Sequence, residues 1–275
     1  MSKFNTIEQS AAHPLHLPPV LPSHDGKRYL VTGAARGLGK AVAALLTAQG
    51  ASVWGVDILE TELARTAEEL GLAGSGRIDV GDERSIAAAV ATARTGLGGF
   101  DGVVNIAGIV IHADPLEISW SDWRRLVDIN LLGTYEVSRL VAKAMIADGV
   151  RGAIVNTASE AGKVGHADSL AYSATKAAVI SQTRVLSESL AQHDINVNCV
   201  CPGGLPTAML REVADAYSEI VGEDAEAIFG KMVATQLGRH TSLEEVASVY
   251  SFLLSDAAYV IRGQAVNADA GGTPY

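Results

Sequence analysis

Short apolar runs alternate with helical patterns along this sequence, and that rhythm constrains the fold more than any other feature. "RYLVT" reads as a strand, and the glycine-rich turn after it opens the helix "GKAVAALLTAQG", which stops at a glycine. "ASVWGVD" is a second strand, followed by the polar helix "ETELARTAEEL". "GRIDV" gives a short third strand, and "DERSIAAAVATART" a helix with apolar residues at helical spacing. "FDGVVNIAG" is a fourth strand, followed by one long helix over 119–147 that opens on a Ser cap. A fifth strand "GAIVNTAS", a long helix over 170–192 and a sixth strand "INVNCVCPGG" come next. A helix at "LEEVASVYSFLLS" and a strand "QAVNAD" complete the series. Such alternation implies an α/β, doubly wound parallel sheet with helices on both faces. Ligands bind beyond the carboxyl ends of such strands, so functional residues belong just after them.

The length of 275 residues suits one domain. Residues 1–26, with Pro14, Pro18, Pro19 and Pro22, read as an extended arm whose His13, His16 and His24 are solvated rather than metal-binding. Residues 27–275 form the single domain, in which 204–240 is helical in pattern without a strand and is expected to act as a lid. A net charge of −10 argues against nucleic acid or an anionic membrane as partner. No apolar run approaches the roughly 18–20 residues that span a bilayer, and the start lacks a secretory pattern, so a cytoplasmic protein is expected. Cys199 and Cys201 alternate along one strand and diverge from disulfide geometry, as buried thiols in a reducing compartment would. No metal-ligand cluster is evident.

"VTGAARGLGK" places Gly33, Gly37 and Gly39 between the first strand and helix, where glycines permit a tight turn and close backbone approach to a pyrophosphate. Asp57 ends the second strand, where a carboxylate accepts hydrogen bonds from both adenosine ribose hydroxyls and repels a 2′-phosphate. Ile58 follows it and offers no compensating charge. Arg36, inside the glycine loop, is the counter-signal, since a guanidinium there reaches a phosphate. NAD is therefore the expected cofactor, with NADP the alternative. Asp79, at the end of the third strand, is placed either to touch the adenine or to cap a helix.

"AYSATKAAV" sets Tyr172 and Lys176 one helical turn apart on one face. A free phenol, with pKa about 10, is a poor base at neutral pH, and a cation within about 4–6 Å favours its phenolate. With "TGAARGLG", "NIAG", "YSATK" and "PGGLPT" in this order, the chain from about Lys27 onward resembles the short-chain dehydrogenase/reductases. The resemblance implies a Rossmann-type fold and hydride transfer between a secondary alcohol and nicotinamide. It implies Asn130, Ser159, Tyr172 and Lys176 as the catalytic set, with Tyr172 as general base or acid and Ser159 bonding the substrate oxygen. Lys176 would also bind the nicotinamide ribose, and Asn130 would pass the proton onward through its carbonyl and a water. The cofactor set it implies comprises Gly33, Arg36, Gly37, Leu38, Gly39, Asp57, Ile58, Asp79, Val80, Asn105, Ala107 and Gly108, then Tyr172, Lys176, Pro202, Gly203, Leu205 and Thr207. Departures from the family pattern, Ile106, Ala158, Arg262 and Ala270, leave the catalytic set intact.

The lid segment has no basic cluster for a large anionic handle. Glu160, His166, Gly204 and Met209 are the candidate substrate residues, Glu160 and His166 for extra hydroxyls. The second long helix followed by a helical lid looks like the polyol and diol dehydrogenases of the family. Oxidation of a secondary alcohol, of polyol or diol type, to the ketone is the expected reaction. An NADPH-dependent ketone or 3-oxoacyl reductase, or a non-catalytic dinucleotide-binding regulator, are the alternatives. The two long helices resemble those that pair subunits in the family, which implies a homotetramer.

Overall fold

The computed structural model describes residues 22–232 and 236–273. The strands are β1 (Arg28–Thr32), β2 (Ser52–Asp57), β3 (Gly74–Arg77), β4 (Gly102–Asn105), β5 (Ala153–Thr157), β6 (Asn196–Pro202) and β7 (Ala265–Ala268). The helices are α1 (Gly37–Ala48), α2 (Glu60–Leu70), α3 (Glu83–Leu97), α4 (Trp120–Leu126), α5 (Thr134–Ala147), α6 (Leu170–Leu190), α7 (Ala208–Val221), α8 (Ala225–Lys231) and α9 (Leu243–Leu254). All strand pairs are parallel in one seven-stranded sheet of order β3-β2-β1-β4-β5-β6-β7. The expected α/β, doubly wound architecture is therefore present.

Period-two alternation assigns each strand residue to one of two cores. Tyr29, Val31, Val53 and Val104 pack with α1 and α9 on one face. Leu30, Val56, Val103 and Ile154 pack with α3 and α5 on the other. Ala214, Ile228 and Phe229 join α7 to α8 in a small core of their own.

Four details differ from the sequence expectation. β3 covers Gly74–Arg77, so Asp79 and Val80 lie beyond it rather than in it. Pairing with β2 sets that register, and Trp54 of β2 lies where a Cβ on Gly74 would come within 2.2 Å, a contact no local pattern encodes. The cap of α3 is Asp82, whose carboxylate accepts from the amides of Arg84 and Ser85, so Asp79 is not the cap. The long helix does open on Ser119, but Val127–Gly133 is a π-helical stretch between α4 and α5. Such a widening is common at functional sites.

The fourth difference concerns the arm. Residues 1–21, with His13 and His16, lie outside the described residues. His24 is buried, not solvated: its Nδ1 pairs with the Tyr29 hydroxyl at 2.9 Å and its Nε2 with Ser251 Oγ at 3.1 Å. Two polar partners, the nearby Tyr29 and the distant Ser251, outweigh the preference of an isolated imidazole for water.

Burial pushes the His24 imidazole below its ordinary value of 6.5, with Lys27 adding repulsion, against the bond from Ser251. The unfolded chain therefore takes up a proton before the folded one as pH falls through 6.5, and the fold loses stability there. His24→Asn is expected to cost about 1–2 kcal/mol at pH 7.5 in denaturant unfolding. The gap to wild type should narrow toward pH 5.

Candidate active site

The sheet order reverses between β1 and β4, which opens a crevice at their carboxyl ends. Thr32 closes β1 there, its Oγ1 accepting from the amides of Ile106 (3.0 Å) and Ala107 (3.1 Å) just past β4. Gly33 follows with φ of 71°, and a Cβ on it would lie 2.9 Å from the Ala107 nitrogen. A Cβ on Gly39 would meet the Gly33 carbonyl oxygen at 1.9 Å, so only glycine lets α1 start this close to the turn. Gly37 faces the loop after β6, its Cβ position being 3.6 Å from Thr207 Cγ2. Arg36 at the start of α1 provides no capping bond and the first turn carries no acid. The amide donors and positive dipole end of α1 are thus available to a phosphate, and the residues present fit a dinucleotide.

Asp57 sits at this crevice at the end of β2. Its two carboxylate oxygens accept from the amides of Ala35 and Leu59, each at 3.0 Å, which holds the buried group in place. Thr66 Oγ1 donates to the Ala35 carbonyl at 2.8 Å and pins the same turn. Leu38 is buried beneath the loop, Ile58 is exposed, and Arg36 is exposed with no ion pair among the described residues. Asp79 accepts from the Gly81 amide at 2.9 Å, and a Cβ on Gly133 would lie 2.3 Å from the Val80 oxygen, which sets the turn after β3 against the π-helical stretch. Asn105 is different. Its Nδ2 donates to Ser138 Oγ (2.8 Å) and Asn156 Oδ1 (2.9 Å) in a buried network that holds β4 to β5 and α5.

The catalytic candidates converge from three elements. Tyr172 and Lys176 lie on successive turns of α6, with Nζ 5.7 Å from the phenol ring centroid. Lys176 is buried and donates to the Thr157 carbonyl at 2.8 Å. Ser159, two residues past β5, accepts from the Ala161 amide at 3.1 Å and keeps its own proton to donate. Asn130, inside the π-helical stretch, grips the Ile109 peptide at both ends, accepting from its nitrogen and donating to its oxygen at 2.9 Å each. A Cβ on Gly108 would come within 3.1 Å of Asn130 Oδ1 and 3.6 Å of Lys176 Nζ.

Burial pushes the Tyr172 phenol above its ordinary value, against a bond from Ser159 that draws it down. Burial pushes Lys176 down to about 8. Burial acts against the charged form of both groups, so this chain by itself does not favour a phenolate.

β6 ends on buried Pro202, and the loop after it supplies buried Leu205. Gly203 lies against Asp269, Gly204 against the Met232 carbonyl, and Thr207 caps α7. The Met209 side chain lies outside the described residues. Glu160 directs Oε2 toward Gly203 and Gly272, 3.3 and 3.1 Å from their Cβ positions, and burial raises its carboxyl. His166 is exposed in the loop before α6.

Sequence reasoning missed His112, Asp168 and Tyr217. His112 Nδ1 pairs with Asp168 Oδ2 at 2.8 Å, and the Tyr217 hydroxyl donates to the same oxygen at 2.7 Å. The available signal was position: His112 and Asp168 lie in loops that follow strands.

A family model described as enoyl-(acyl carrier protein) reductase matches residues 33–273. A 2,5-dichloro-2,5-cyclohexadiene-1,4-diol dehydrogenase of Sphingobium indicum is 37% identical over 250 residues, 90% of this chain and 97% of its own. A sorbitol dehydrogenase of Cereibacter sphaeroides is 37% identical over 252 residues, 90% of this chain and 97% of its own. A crystal structure of an actinorhodin polyketide ketoreductase variant with NADPH superposes with a TM-score of 0.86 at 34% identity, covering 90% of this chain and 98% of that one.

Removing the Asn130 side chain leaves the part-buried Ile109 backbone without its partners. Asn130→Ala is expected to destabilise the fold by about 2–4 kcal/mol in urea unfolding. Ser159→Ala, which frees one amide only, should cost less than half of that.

Proposed function

The chain belongs to the short-chain dehydrogenase/reductase family, and on that premise we propose that it oxidises a secondary alcohol of diol or polyol type to the ketone, using NAD. It is an oxidoreductase of CH–OH groups that uses a nicotinamide dinucleotide. The observation that carries the reading is the meeting of Tyr172, Lys176 and Ser159 at the same sheet edge as the uncapped start of α1.

Gly33, Gly37 and Gly39 with the α1 amides would hold the pyrophosphate, Asp57 the adenosine ribose, and Asp79 and Val80 the adenine side. Ala107, Gly108, Pro202, Gly203, Leu205 and Thr207 would bracket the nicotinamide half. When bound, the oxidised nicotinamide accepts the hydride and brings a positive charge.

Tyr172 takes the alcohol proton. Ser159 donates to the substrate oxygen and stabilises charge developing there. Lys176 spends one of its N–H groups on Thr157 and has two left for ribose hydroxyls. The Asn130 carbonyl already accepts from Thr134 Oγ1 at 2.8 Å and retains a second lone pair for a relayed proton. Because burial raises the Tyr172 phenol, its ionisation depends on positive charge brought by the nucleotide.

Asp57 supports NAD, since the two amides that hold it prevent its carboxylate from swinging away from a 2′-phosphate. At about 4 Å and an effective dielectric near 20 that repulsion is ~4 kcal/mol. The NADPH-dependent ketone reductase is the second reading, favoured by the unpaired, exposed Arg36 and by the ketoreductase relative. A non-catalytic regulator would need a broken catalytic set, which this chain does not have. Leu132, Tyr135 and Val185, 50%, 40% and 63% exposed on the paired long helices, support a homotetramer. No helix among the described residues is long and apolar enough to cross a membrane. Cys199 and Cys201, buried and unbridged, support a cytoplasmic setting.

With cofactor at saturation, alcohol oxidation should rise with pH as the Tyr172 phenol is deprotonated, and ketone reduction should fall. Tyr172→Phe is expected to remove about 10³-fold or more of both rates. A Tyr172→Phe enzyme with wild-type rates would overturn the assignment. Asp57→Ala should raise the kcat/KM ratio of NADP to NAD by about 10²-fold. A wild-type enzyme that prefers NADP would reverse the cofactor choice in favour of the second reading.

A further inference from the structure

We propose that His112 is a specificity-determining residue, its Nε2 accepting a hydrogen bond from a second hydroxyl of the substrate. This rests on the alcohol-oxidation reading above and concerns a hydroxyl other than the one Tyr172 deprotonates.

His112 lies in the loop between β4 and α4, the same loop that begins with Ala107 and Gly108. Asp168, four residues before Tyr172, binds this loop twice. Its carboxylate takes the His112 ring at 2.8 Å, and its carbonyl accepts from the Ala113 amide at 2.9 Å. Tyr217 reaches the same carboxylate from α7, which begins directly after Thr207. Three segments that each carry a catalytic or cofactor-bracketing residue are thus joined through one carboxylate.

That carboxylate fixes the chemistry of the imidazole. Burial pushes Asp168 upward, but the bonds from Tyr217 and His112 outweigh it and hold the group below the ordinary carboxylate range. An ionised carboxylate only accepts, so the proton of a neutral His112 ring is assigned to Nδ1. Nε2 is then a bare acceptor.

This atom is shielded from solvent and has no hydrogen-bond partner among the described residues. Leaving such a group unpaired is unfavourable, so a partner supplied by a ligand is favoured. An acceptor of fixed tautomer, on a side chain only part-buried where these loops meet, is suited to a ligand O–H. The other candidates for extra hydroxyls are less well placed: Glu160 turns toward Gly203 and Gly272, and His166 is exposed. Asp168 and Tyr217 act on the substrate only through His112 and are positioning residues.

A site built to pair a hydroxyl discriminates strongly against an analogue that lacks it. The test compares kcat/KM for cis-cyclohexane-1,2-diol and cyclohexanol with NAD in the wild type, His112→Leu and His112→Gln. Binding of the diol to the enzyme–NADH complex is measured in parallel by NADH fluorescence. His112→Leu is expected to lower the diol-to-cyclohexanol ratio by about 10- to 100-fold, mainly through KM, and to weaken diol binding by a similar factor. His112→Gln, whose amide oxygen can accept, should recover part of the loss. Parallel losses for both alcohols, or an unchanged ratio and unchanged binding, would overturn the proposal and leave the reaction assignment standing. If the wild type oxidises neither alcohol but His112→Leu still weakens diol binding, the reaction assignment fails and the hydroxyl site stands.

Discussion

Everything in the site depends on the parallel pairing of the sheet. When every strand runs the same way, the segments leaving their carboxyl ends emerge along one edge. That brings Gly33, Asp57, Ala107, Ser159 and Pro202, more than 160 residues apart at the extremes, to one crevice. Thr32 shows how finely the edge is joined, since one hydroxyl serves the amides of both Ile106 and Ala107. Between β4 and β5, the buried Asn105, Asn156, Ser138 and Thr183 link the sheet to α5 and α6 through side-chain bonds. Within this network Asn105 Oδ1 alone has no partner among the described residues, and the remaining bonds hold the register of the two strands.

On this frame the catalytic groups are held at an electrostatic cost. Burial raises the Tyr172 phenol and lowers Lys176 to about 8, so desolvation acts against the ionic form of each. The chain positions the pair and leaves the missing charge to its cofactor. On the proposed reading, proton abstraction by Tyr172 is tied to nucleotide binding, because the positive charge that favours a phenolate would arrive with the nucleotide. Asn130 serves the same rigidity. It grips the Ile109 peptide and, through Nδ2, approaches Thr175 at 3.3 Å, joining the β4 loop to α6 within one turn of Lys176.

The segment after β6 is attached differently. Its helices α7 and α8 share a small core of their own, separate from the two large ones that flank the sheet. Its polar tie to the catalytic loops runs through Tyr217 and Asp168. A region with little apolar burial against the main body opens at lower cost than the sheet, which suits a cover that admits substrate.

The order of strands and helices, the glycine turn, Asp57 and the Tyr172–Lys176 spacing were legible in the sequence because each is local. Periodicity, turn chemistry and helical spacing act over a few residues. Ala270, a departure from the family pattern, adopts a φ of 52°, as a position that suits glycine would. What local pattern left open was decided by partners far away in the chain. Trp54 shares in the placement of β3, Ser251 closes over the His24 ring, and the Ile109 peptide meets Asn130 where the helix widens into a π turn. His112 has no motif of its own, and its chemistry exists only once Asp168 fixes its tautomer from 56 residues away. The sequence by itself determined the fold class, since periodicity acts over a few residues, and its ordered motifs carried the family resemblance that implies the reaction chemistry. Which polar groups are buried and which face the substrate was decided by tertiary structure, because burial and pairing are set by contacts between distant segments.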